Sequence, residues 1–163
     1  MEYIKQRETA YIDGIWKITY GTGFASTNPS NGKTVWEGNS ATAEDVAGAV
    51  RSAREGFEGW SNLHILERQK CLERFAKLLT EDKNRLAEVI SEEVGKTRWD
   101  ALTEVQSAIN KIGISVDSYN HRCQPLSGGA AIARFRPHGV VAVFGTFNFP
   151  LHISNGQIGR AHV

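Results

Sequence analysis

The sequence predicts an α/β protein that carries only part of its sheet, and three observations say so. Three long stretches between residues 42 and 119 repeat apolar residues at three- and four-residue spacing, as helices with one buried face do. Clusters of turn residues near the amino terminus separate short β-prone runs, which predicts hairpins. One dense apolar run, Val140 to Phe144, lies between Gly139 and Gly145 and suits a strand covered on both faces of a parallel sheet. Such a strand needs strand neighbours, and three helices need more sheet than this to cover. The fold is therefore expected to be incomplete and to expose apolar surface.

Each element follows from its residues. Asp13-Gly14 between Tyr11-Ile12 and Ile15-Trp16 is a hairpin signal. Asn28-Pro29-Ser30-Asn31-Gly32 is a second turn cluster, and Thr34-Val35-Trp36 a strand after it. Gly21-Thr22-Gly23 lacks the third glycine of a dinucleotide fingerprint, and turn residues follow it where a helix should. The first helix is capped by Thr42, with Glu44 and Asp45 in its first turn and a stripe of Val46, Ala49, Val50, Ala53, Phe57 and Trp60. A second spans about Leu66 to Val94, with Leu72, Phe75, Leu79, Leu86, Val89 and Ile90 inward, a possible break at Asp82–Asn84, and Gly95 as its stop. Thr97 and Asp100 cap a third, whose stripe is Leu102, Val105, Ile109, Ile112, Val116 and Tyr119. Gln124 to Gly129 is a turn-rich break, and Ala131 to Arg136 alternates apolar and polar residues like a half-wet strand.

Composition narrows the function. Nineteen Lys and Arg against 18 Asp and Glu leave a net charge of +1 with both signs interspersed, unlike a nucleic-acid or anionic-membrane surface. No run reaches the roughly 18 apolar residues of a membrane span, and MEYIKQRETA has no apolar leader, so a cytoplasmic location is expected. Cys71 and Cys123 lack metal or redox spacing, and Cys71, among core-spaced residues, reads as a buried, unactivated thiol. The five histidines show no metal spacing and read as surface or capping residues.

The chemistry concentrates between Arg136 and Gly156. Ligands gather at the carboxyl ends of strands in open α/β sheets, where Asn148 would stand. Arg136-Pro-His-Gly-Val140, Val143-Phe-Gly145, Asn148-Phe-Pro150 and Asn155-Gly156, with Gly129-Ala-Ala131 upstream, resemble the strand-and-loop segment of the aldehyde dehydrogenase superfamily. Glu93-Val-Gly-Lys96 also resembles a superfamily motif that joins two helices and has no catalytic part. The likeness covers nearly the whole chain but only about the amino-terminal third of a superfamily enzyme.

That resemblance implies the amino-terminal part of a Rossmann-like cofactor domain, with 1–121 and 138–157 belonging to it and 122–137 forming part of an oligomerisation arm. On the residues alone, the Ala131–Arg136 strand could equally edge the chain's own sheet. The resemblance implies NAD as cofactor, with NADP open, an aldehyde substrate, and a homo-oligomer in the full-length enzyme. It points to N-succinylglutamate semialdehyde, oxidised in arginine catabolism. Asn148 is implied as an oxyanion donor through its side-chain amide, and Phe144, Gly145, Thr146 and Phe147 as the loop lining the nicotinamide-ribose side. Without the resemblance, Asn148 is a turn residue beside a proline. The superfamily's nucleophilic cysteine and its glutamate base have no counterpart here, so this chain alone is expected not to turn over aldehydes.

Thr146 stands where the superfamily has Pro, Ser154 where close relatives often have Pro, and Gln157 where they have His. Residues 158–163 are expected to be a non-native tail. A reading from another class is a non-catalytic module that pairs with a full-length subunit through the Ala131–Arg136 strand.

Overall fold

The computed structural model describes residues 9–162, with side chains placed to Gln157. Residues 1–8, on which the absence of an apolar leader was largely read, and the side chains of the expected tail lie outside the description. β1 (Ala10–Ile12) and β2 (Ile15–Lys17) form the expected hairpin. Asp13 and Gly14 both adopt positive φ, 57° and 72°, as a tight turn matched to strand twist requires. β3 (Gly23–Thr27) and β4 (Thr34–Asn39) form a second hairpin, in which the Phe24 and Trp36 rings meet tilted, 4.9 Å between centroids. Its turn is built by Asn28, whose side-chain oxygen accepts from the Ser30 amide, and by Asn31, which accepts from Lys33. The glycines at 21 and 23 lead into β3, an element not foreseen. The buried Thr19 hydroxyl donates to the Asn39 carbonyl at 2.8 Å, tying the region after β2 to the end of β4.

α1 (Ala43–Asn62) starts at the expected cap. Thr42 accepts from the Asp45 amide, and Asp45 in return accepts from the Thr42 amide and hydroxyl at 2.8 and 2.7 Å. Those Thr42 bonds, backbone first, hold the Asp45 carboxyl below the usual range, with Lys17 adding a smaller pull. A depressed folded value makes the box's contribution present above the unfolded value of about 3.9 and lost as pH falls through the folded one. The protection of the first-turn amides of α1, relative to their intrinsic exchange rate at each pH, is expected to fall below about pH 4, and Asp45→Asn to remove that pH dependence. Acid-insensitive protection in the parent chain would refute it.

The expected buried stripe of α1 is corrected: α1 has no buried residue, and Val46, Val50 and Ala53 are exposed. Its main element contact is with β1, and only Ala49, Phe57 and Trp60 of the stripe are half-buried. The expected second helix is two, α2 (Ile65–Glu81) and α3 (Lys83–Val94), broken at Asp82. His64 caps α2 in a reciprocal box with Glu67, in line with its reading as a capping residue. Arg85 donates to Asp82 at 2.6 Å; that bond holds the Asp82 carboxyl low and raises the guanidinium. Gly95 ends α3 at φ 76°, and a Cβ there would meet Pro29 Cγ at 2.6 Å, so glycine is required on two counts.

α4 (Arg98–Arg122) is the spine. α2 and α3 pack on it through two clusters, Leu72, Leu79 and Ile112 in one, Ala87, Ile90, Ala101 and Val105 in the other, bridged by half-buried Leu86 and Ile109. Its deepest face is not quite the expected stripe. Ala101, Glu104, Ala108 and Ser115 are buried with Val105 and Ile112, while Leu102, Val116 and Tyr119 are half-buried. Ala101 is deep against α3, while Ala108 and Ser115 lie on the side where α5 (His152–His162) packs.

β5 (Leu126–Gly128) and β6 (Ala131–Ala133) make a third hairpin, every residue exposed. Half of the expected turn-rich break is thus strand, and the strand expected over 131–136 stops at Ala133. The strand expected at Val140–Phe144 is also corrected: the segment is unpaired, and Val141, Val143 and Phe144 are exposed. A strand buried on both faces exists only between neighbours. The described residues hold three separate two-stranded sheets and no such neighbour. The expectation of exposed apolar surface is met at the same place.

Candidate active site

The site is assembled where the loop after residue 144 turns into α5. Thr146 and Phe149 bridge across a tight turn whose tip is Phe147-Asn148. Gly145 backs onto α5 so closely that a Cβ would meet Ser154 Oγ at 2.6 Å. On the far side, Phe149 lies under the Lys96 ammonium, 3.8 Å from the ring centroid, and edge-on to His152.

Beneath the turn sits a buried carboxylate. Glu104 Oε1 accepts from the Leu151 and His152 amides at 3.0 and 3.2 Å, and Oε2 pairs with Lys96 Nζ at 2.6 Å. The Glu104 side chain is 1% exposed and that of Lys96 16%. Glu104 thus satisfies free amides at the start of α5 and places negative charge at the positive end of its dipole. One turn on, buried Asn155 donates from Nδ2 to the Ala108 carbonyl at 2.6 Å, fixing α5 to α4 a second time. Lys96 is itself held in the α3–α4 connection, where Ser91 donates to its carbonyl at 2.6 Å.

Asn148 is exposed at the tip, and Thr146 is exposed in the bridge. Phe144 and Phe147 present almost their whole rings, 89% and 88% exposed. The structure therefore gathers Gly145, Thr146, Phe147 and Asn148 into one turn, with Phe144 just before it. It does not bring the thiols into this arrangement: Cys71 is exposed on α2, correcting its reading as buried, because it stands one position off the Leu72–Leu79 face. Cys123 ends α4, and both cysteines are free. No cluster of potential metal ligands occurs among the described residues.

Glu104 and the role of Lys96 were missed from the sequence. The available signal was Ala101, Ala108 and Ser115 at seven-residue spacing, which puts Glu104 on the close-packed face of α4. Between α4 and α5 opens a cleft of about 440 Å³ whose lining includes Lys111, Asp117, His121, Arg122, His152 and Ile153.

The turn thus presents an amide side chain four residues ahead of α5. A sequence model described as "Aldehyde dehydrogenase family" matches residues 16–163, and the chain belongs to that family. N-succinylglutamate 5-semialdehyde dehydrogenase of Paraburkholderia xenovorans is 50% identical over 152 residues, 91% of this chain and 31% of the relative. The protein of that name from Burkholderia cenocepacia is 49% identical over the same span. The chain thus covers about a third of the length of these relatives. Among solved structures, an NADP-dependent glyceraldehyde-3-phosphate dehydrogenase from Bacillus halodurans, complexed with NADP, superposes with TM-score 0.84 at 25% identity over 93% of this chain and 34% of its own. An NAD-dependent benzaldehyde dehydrogenase from Corynebacterium glutamicum gives TM-score 0.84 at 26% identity, covering 91% and 34%. No helix among the described residues is long and apolar enough to cross a membrane.

Proposed function

We propose that this chain is the amino-terminal segment of an NAD(P)-dependent enzyme that oxidises N-succinylglutamate semialdehyde to N-succinylglutamate in the cytoplasm, and that its own contribution is the oxyanion donor Asn148. The observation that carries the reading is the Thr146–Phe149 turn, which offers the Asn148 amide at an exposed tip while both of its ends are braced on α5 and α4. Charge develops on the aldehyde oxygen once a nucleophile adds to its carbon. A donor already in place stabilises that charge without reorganising. Asn148 Nδ2 is the group positioned to donate, and Thr146 and Gly145 fix the backbone from which it projects.

The exposed rings of Phe144 and Phe147 fit one wall of a site for a flat cofactor ring, which when bound accepts hydride from the substrate carbon. Lys111 and Arg122 outnumber Asp117 among the charged residues lining the α4–α5 cleft, and His121 and His152 add ring nitrogens, which suits a substrate bearing carboxylates. The nucleophile and general base are assigned to parts of the enzyme outside these residues. The exposed β5–β6 hairpin is assigned to pairing with another subunit.

The test is rate measurement on the enzyme at its relatives' full length, comparing N-succinylglutamate semialdehyde with an uncharged aldehyde of similar size, with NAD and NADP in turn. Reduced cofactor is expected with the semialdehyde at the higher kcat/KM, and none from residues 1–163 alone. Preference for the uncharged aldehyde would overturn the substrate. Turnover by the isolated chain would overturn the division of labour.

A further inference from the structure

We propose that Glu104 and Lys96 are the positioning pair that sets the reach of Asn148, a proposal that rests on the oxyanion reading above. The pair could be read as an ordinary cap on α5, but its connections go further. One carboxylate oxygen is spent on Lys96 and the other on two amides that lie three and four residues after Asn148. The ammonium that Glu104 holds has the Phe149 ring as its second contact, next in sequence to Asn148. A single buried ion pair therefore fixes both the residue after the donor and the start of the helix behind it. At the opposite end of the turn, Gly145 lies so close to Ser154 that no Cβ would fit. The carboxylate lies on a face of α4 otherwise made largely of small and apolar residues, so its placement is specific to this contact. Neither side chain is proposed to touch substrate.

Misplacing a catalytic group by about 1 Å costs about 10²-fold in rate. In the full-length enzyme, Glu104→Gln keeps a carbonyl acceptor for the two amides but loses the ion pair, and kcat is expected to fall about tenfold, with KM for the cofactor within about twofold. Lys96→Met leaves the Glu104–amide bonds and releases Phe149; it is expected to lower kcat similarly, with Lys96→Arg restoring most of it. A role in stability alone would lower the yield of folded enzyme and leave kcat per folded site unchanged.

The deciding measurement is the double-mutant cycle with Asn148→Ala. In that background there is no donor left to misplace, so Glu104→Gln is expected to cost less than about twofold more. A full, multiplicative loss there would overturn positioning while leaving the oxyanion reading intact. If Asn148→Ala itself leaves kcat unchanged, the oxyanion reading fails, and positioning fails with it. Should Glu104→Gln not fold, Lys96→Met in the same cycle decides by the same outcomes.

Discussion

Replacing Asn148 with alanine in the full-length enzyme is expected to lower kcat by about 10² or more, with the fold intact and KM for the cofactor little changed. Removing one preorganised donor at an oxyanion typically costs about 3–4 kcal/mol of transition-state stabilisation, which is about 10²–10³ in rate. The fold is expected to survive because Asn148 is exposed at the tip of its turn. The turn's anchors, the Thr146–Phe149 bridge and Glu104, do not use the Asn148 side chain. The effect belongs in kcat and not in KM if the amide acts chiefly on charge absent from the ground state. Single-turnover measurement of the chemical step checks this directly; activity within a factor of a few of the parent enzyme would reject the role. Asn148→Asp is a sharper variant, since a carboxylate at the same place would repel the developing charge.

What the sequence disclosed and what it hid divide along physical lines. Caps and turns were legible because they are local. Thr42, Thr97, Gly95 and Asp13-Gly14 each do what their residue type does within four residues of chain. The break at Asp82 was visible as a candidate because it is local too. The corrected features all depend on something distant. α1 carries an apolar stripe but packs chiefly on β1 and buries none of it fully, and Val140–Phe144 has the composition of a buried strand but no neighbours to pair with. Composition records the environment an element is suited to, and partners decide whether it has one.

α4 shows the same division. Large apolar residues mark much of the side that meets α2 and α3, but the side that meets α5 is read from Ala108 and Ser115. Glu104 lies on that second side. The resemblance pointed to Asn148 through its motif. It left Lys96 as a mere link between helices, because the Lys96–Phe149 contact joins positions 53 residues apart.

The second large effect is expected at Asn155, 2% exposed, where an isosteric change reverses the hydrogen bond that joins α5 to α4. In Asn155→Asp an acceptor oxygen replaces the donor that reaches the Ala108 carbonyl at 2.6 Å, and the other side-chain oxygen already lacks a protein partner. Ionised, the new carboxylate would be buried and set against a carbonyl; protonated, it can donate as the amide did. Burial without a compensating donor raises a carboxyl pKa by about 3 units, equivalent to about 4 kcal/mol. The sign follows from that rise. The variant loses little below the unfolded value of about 3.9, loses stability steadily as pH climbs from there to the raised folded value, and reaches its full deficit above it.

Asn155→Ala is expected to cost less, about 1–3 kcal/mol, and without that pH dependence, because it only deletes a bond. Hydrogen exchange of the α4 and α5 amides, compared with the parent at pH 7 and at pH 4.5, separates the two variants. A deficit of equal size at both values would show that the Asn155 side chain is not closed off from water between the helices.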